Sequence, residues 1–239
     1  MCRYIDIRPY EDNLVEIKSG NKFINASWIH MPLRCYFIAT QGPLENTIED
    51  FLSMCIAYDV QFIVMLCNLK EKDKEKCAKY WDKKFTNYEV PKRQETKVLT
   101  EGILLRKLII KKVKENLEKK IDQIQFTFWD DHKDLTDEYF EKIITIIEAI
   151  DIYKKKKSNS PIVVHCSGGV GRTGTFICLY NIYKELIEQL KNKDVIDIKF
   201  SIMNLVRKIK EMRMHSVENE AQYSSLYNFA NYLLLKYNK

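Results

Sequence analysis

Ten residues, His165-Cys-Ser-Gly-Gly-Val-Gly-Arg-Thr-Gly174, concentrate the chemistry-bearing side chains of this sequence. The chain holds only seven glycines, and four of them (Gly168, Gly169, Gly171 and Gly174) fall inside this run. Glycine at that density marks backbone that must reach positive φ or let a ligand come close. Three phosphate-binding patterns compete for it. A G-x-G-x-x-G is present, but a dinucleotide site also needs an acidic residue ending a strand about twenty positions on. That region, residues 188–193, reads as the end of a lysine-rich helix. A Walker loop needs Gly-Lys-Ser/Thr, and Gly-Arg-Thr stands in its place.

The third pattern uses every residue. Cys166 and Arg172 enclose five positions, Ser167, Gly168, Gly169, Val170 and Gly171. A loop of that length can turn successive N–H groups into one concavity that holds an anion. A helix starting near Arg172 adds its positive end. Arg172 can return a planar guanidinium to two oxygens of a tetrahedral oxyanion. Cys166, at the base of that field, is expected as the thiolate, the form that attacks phosphorus in line. Thr173 can hydrogen-bond the sulfur and ease its departure. His165 reads as a structural residue that orients the loop, not as a general base. The other buried-type cysteines (35, 55, 67, 77 and 178) read as small core residues.

The elements around the loop follow from periodicity. Residues 161–164 form a short β-branched run that feeds the glycines, and helical periods at 174–190, 194–212 and 220–237 follow. Upstream, 136–150 is helical, with Asp137 and Glu138 in its first turn. Strand patterns cover 37–40, 62–66, 95–99, 104–114 and 123–128, with a helix at 48–58. The stretch 111–120 reads as solvated strand end and hairpin tip. The expected fold is α/β, a single domain over 1–239: a twisted mixed β-sheet flanked by helices, with the C-x5-R phosphate loop between a central strand and a helix.

Composition narrows the function classes. The net charge of +6 is mostly lysine, since arginine supplies eight of 39 basic residues. A solvated lysine surface is expected rather than a nucleic-acid groove, which would favour arginine with interleaved aromatics. No apolar run is long enough to span a membrane, and residues 1–10 lack a signal core. Seven cysteines without a CxxC pair argue against zinc and disulfides and for a reducing, cytoplasmic compartment. No cofactor or metal is expected, and a monomer is.

At these residues the sequence resembles the cysteine-dependent, tyrosine-specific protein phosphatases of the non-receptor kind. Their signature is similar to Val164–Gly174, with alanine usual where Gly168 stands. Cys2-Arg-Tyr-Ile-Asp6, Phe23-Ile-Asn-Ala-Ser27, Ala39-Thr-Gln-Gly-Pro-Leu44 and Lys76-Cys-Ala-Lys-Tyr-Trp81 resemble further blocks in the family's order. The lysine-rich style is also similar to phosphatases carried by insect-parasitoid viruses. The likeness begins at residue 2, so the helices usually found ahead of that block are expected to be missing.

The resemblance implies hydrolysis of phosphotyrosine in partner proteins through a cysteinyl phosphate. Tyr4 would wall the pocket and set its depth, and Asp6 would accept hydrogen bonds from the substrate backbone. Glu71 would hold Arg172, and Lys76 would approach the acid loop. That loop aligns with Phe126–Asp131: Trp129 matches, Asp130 takes the place of the family's proline, and Asp131 would protonate the leaving phenolate and later deprotonate the attacking water. Gln222 matches one of the two glutamines that place the hydrolytic water. Glu218 replaces the other, and its carboxylate would repel the phosphoryl group. A phosphotyrosine-binding protein without efficient turnover is the alternative, and an RNA 5′-triphosphatase a more distant one.

Overall fold

Ile162, Val163 and Val164 are β-branched and wholly buried, so the strand they form must be covered on both faces. The computed structural model describes residues 1–17, 23–31, 35–92, 95–129, 135–154, 160–191 and 198–237. In chain order it begins with β1 (Ala26–His30), β2 (Tyr36–Thr40), α1 (Ile48–Ala57) and β3 (Phe62–Met65). Short strands β4 (Lys70–Glu71), β5 (Lys74–Glu75), β6 (Lys83–Lys84) and β7 (Tyr88–Val90) follow. Next come β8 (Thr96–Thr100), β9 (Ile103–Lys112), β10 (Leu117–Phe126) and α2 (Asp137–Lys154). The last third carries β11 (Ile162–His165), α3 (Gly171–Leu190), α4 (Ile202–Met212) and α5 (Glu220–Tyr237).

Among the described residues one sheet runs β1-β2-β11-β3-β10-β9-β7-β6, with β8 also paired to β9. β11 is parallel to both its neighbours, β2 and β3, and β3 is parallel to β10. The outer pairs are antiparallel. This is the mixed sheet with flanking helices that the sequence implies. The run at 161–164 therefore sits at the sheet's centre and delivers the glycine loop at its carboxyl end. Helix α3 receives the loop. It is buried on every side from Gly171 to Tyr183, the signature of a central helix, and it packs on α5, α4, α2, β11 and β2.

Three boundaries differ from expectation. The last-but-one helix begins at Ile202, not at 194. Ser201 caps it, its Oγ accepting from Asn204 N–H at 3.2 Å, and the Gln189 side chain holds the Lys199 backbone extended through its N–H and carbonyl. The strand expected from 123 starts at Leu117, because residues 117–120, three of them charged, pair with 109–112 in a solvated ribbon. The hairpin tip is thus only 113–116. The helix expected from Gly174 starts at Gly171, which puts Arg172 and Thr173 in its first turn.

Candidate active site

The loop is fixed from outside by its carbonyl groups. Gly42 N–H donates to Ser167 O at 2.9 Å. Arg213 donates from Nε to Gly169 O at 2.6 Å and from Nη2 to Gly168 O at 3.2 Å. In a trans peptide the N–H opposes the carbonyl, so the N–H groups of Gly168, Gly169 and Val170 face inward. Gly169 N–H already donates to the Cys166 sulfur at 3.3 Å. Gly169 sits at φ +74°, and a Cβ there would lie 2.2 Å from Thr40 O, so only glycine closes this turn.

Arg213 is a strut that sequence reasoning assigns no role. It has no exposed surface, and its remaining donors reach Ser27 Oγ at 3.0 Å and Asn25 Oδ1 at 2.8 Å. Burial pulls the guanidinium down to about 10, opposed by the sulfurs of Cys166 and Cys2. It stays cationic at neutral pH, beneath the loop that must hold an anion. The available signal was an arginine closing a helix in a chain with few arginines.

Arg172, 1% exposed, points its fork at Glu71, with Nη1 to Oε1 at 2.7 Å and Nη2 to Oε2 at 3.0 Å. Nη1 also donates to Trp129 O at 2.9 Å, fastening the start of the expected acid loop. Lys76 stands 3.9 Å from the same carboxylate. His165 is wholly buried, with Nδ1 donating to Cys166 O at 3.2 Å and Nε2 facing the Tyr80 hydroxyl at 3.0 Å.

Together these residues line a cleft of about 180 Å³, with Cys166, Ser167, Gly168, Val170, Gly171 and Arg172 on one side. Tyr4, Asp6, Ile7, Lys76 and Glu218 complete it. The Tyr4 hydroxyl meets Ser167 Oγ at 3.0 Å. Arg3 holds this N-terminal segment down, its guanidinium donating to the carbonyls of Gly42, Pro43 and Glu75. Gly168 keeps the wall close: a Cβ on it would come within 3.0 Å of Ile7 Cδ1 and 3.3 Å of the Tyr4 ring.

One expected contact looks different. The Thr173 hydroxyl is buried without a hydrogen-bond partner among the described residues, and the sulfur takes the Gly169 N–H instead. Gln222 is 1% exposed, and its Oε1 accepts from Glu218 N–H at 2.8 Å. Asp130 and Asp131 lie outside the described residues. The buried thiols of Cys55, Cys67 and Cys178 are all pushed well up by desolvation, which keeps them protonated and inert.

A family model described as protein-tyrosine phosphatase matches residues 1–232. The chain is 33% identical over 237 residues to human receptor-type tyrosine-protein phosphatase alpha, covering 94% of this chain and 28% of that relative. It is 36% identical over 243 residues to tyrosine-protein phosphatase 69D of Drosophila melanogaster, covering 94% and 16%. Against mouse tyrosine-protein phosphatase non-receptor type 20 the figures are 31% over 235 residues, 94% and 51%. The chain thus spans about half or less of these curated relatives. The solved catalytic domain of human protein tyrosine phosphatase non-receptor type 18 superposes with a TM-score of 0.83 at 28% identity, over 96% of this chain and 83% of that one. A second structure of that phosphatase, in complex with HER2 phosphopeptides, gives 0.86 at 25% identity, over 98% and 81%.

Proposed function

The chain belongs to the protein-tyrosine phosphatase family, and from that premise we propose that it hydrolyses phosphotyrosine in proteins through a cysteinyl-phosphate intermediate. The observation that carries this reading is the floor of the cleft. Cys166 sits beneath inward N–H groups, between the first turn of α3 and the buried Arg213 cation. A phosphate dianion held there lies against the sulfur. Attack forms the S–P bond and expels the phenolate, which takes a proton from Asp131. The Tyr4 ring on the wall supports selection of an aryl phosphate, since stacking of ring on ring favours phosphotyrosine over phosphoserine.

The partners we infer are phosphotyrosine proteins, and the compartment is the cytoplasm, in keeping with seven free cysteines. Among the described residues no helix is long and apolar enough to cross a membrane. We also infer a monomer. The test is phosphate release from matched phosphotyrosine and phosphoserine peptides. Turnover of the first and none of the second is expected; equal rates would overturn the assignment, and binding without release would favour the alternative of a phosphotyrosine-binding protein.

Glu71→Gln tests the role given to Arg172. An amide presents one acceptor where the carboxylate presents two, and it removes the charge that orients the fork. A charge-assisted hydrogen bond contributes about 1.5–3 kcal/mol, so the melting temperature should fall by several degrees, and kcat/KM, measured well below it, by roughly 10–100-fold. Unaltered kinetics would show that Arg172 is held by the loop alone.

A further inference from the structure

The turn ahead of α5 and the first turn of that helix hold an acceptor and a donor side by side. Glu218 lines the cleft with Cys166 and Arg172, and its Oε2 lies 2.8 Å from the point where a Gly171 Cβ would sit. Gln222 Nε2 lies 2.9 Å from the same point. This amide is buried and its Nε2 has no hydrogen-bond partner among the described residues, while Oε1 is tied to Glu218 N–H. With Oε1 engaged, Nε2 is left pointing over Gly171. An unmet buried donor beside a carboxylate calls for a small group that accepts from one and donates to the other. Water does both.

We propose that Glu218 is the base that deprotonates the water attacking the cysteinyl phosphate, with Gln222 orienting that water. The proposal rests on the thiolate mechanism above. The water oxygen forms a bond to phosphorus as the P–S bond breaks, and the bonding pair returns to Cys166 as thiolate. The water's proton passes to the Glu218 carboxylate and then to solvent, and inorganic phosphate departs. Repulsion between the carboxylate and the phosphoryl group opposes this, but Arg172 and Lys76 line the same cleft, and the first turn of α3 begins at Gly171. These positive groups offset the repulsion. Asp131 is then needed only as the acid of the first step.

The experiment is stopped-flow hydrolysis of p-nitrophenyl phosphate by the unaltered chain and by Glu218→Gln, which keeps size and removes the basic oxygen. The variant should release a nitrophenolate burst approaching one equivalent per active site at an unchanged rate. Its steady state should then fall by about 10²-fold, the lower end for losing a general base, with cysteinyl phosphate recoverable after acid quench. A variant as fast as the parent, or faster, would overturn the proposal and leave Glu218 as a repelling charge only. Loss of the burst together with turnover would also overturn it, by placing Glu218 in the first step or in the fold. A parent chain that releases no nitrophenolate would instead refute the thiolate mechanism itself.

Discussion

Cys166→Ser should bind phosphotyrosine peptide and release no phosphate. The substitution leaves the inward N–H groups, Arg172 and Arg213 in place, so the anion site survives. It replaces the nucleophile by a hydroxyl that is neutral at pH 7 and has no base among the residues that touch it. His165 cannot supply one, since its Nδ1 is committed to the Cys166 carbonyl and its Nε2 faces Tyr80. The expected fall in kcat is at least about 10⁴, the scale for deleting a covalent nucleophile. Peptide affinity should hold or rise, because a neutral hydroxyl does not repel the phosphate dianion as a thiolate does. Phosphate release and fluorescence titration with labelled peptide measure the two quantities. Residual hydrolysis within tenfold of the parent would mean that sulfur is not the attacking atom.

The loop was legible because its information is local. A β-branched run, clustered glycines and an arginine after five residues describe a strand, a turn and a helix start within fifteen positions. Strand centrality was legible for the same reason, since a run apolar on both faces must be an inner strand. The start of α4 was not, because the amphipathic period extends upstream, whereas the Ser201 cap and the grip of Gln189 on Lys199 are what end the extended chain. The pairing of residues 117–120 with 109–112 was obscured by lysines that a solvated ribbon tolerates and a buried strand does not. Glu71 came into view only through family likeness, being 101 residues from the guanidinium it holds. Arg213 marks the limit of a single sequence. Its partners Asn25 and Ser27 lie 188 and 186 residues away, and nothing in the chain near residue 213 announces them.

That strut yields the second large effect. Arg213→Met keeps most of the side chain's length and removes every donor. Two loop carbonyls and the side chains of Asn25 and Ser27 would lose their partner inside the protein. Each buried acceptor left unmet costs about 1–3 kcal/mol, and because the four share one site their sum is less than additive. A total of about 3–5 kcal/mol is expected, read as a lower denaturant midpoint at unchanged m. The functional loss should exceed what unfolding explains. Freed carbonyls let the peptides at Gly168 and Gly169 turn, and the inward N–H groups turn with them. Stabilisation of the folded state by added vanadate should therefore shrink along with kcat. Arg213→Lys keeps the charge but cannot reach four acceptors from one ammonium, so it should fall between parent and methionine variant. Arg207, 72% exposed and paired with Glu211 one turn along α4, provides the comparison. Its replacement by methionine should change stability by no more than about 0.5 kcal/mol and leave turnover alone. Equal effects at the two positions would show that charge on α4, and not the grip on the loop, is what matters.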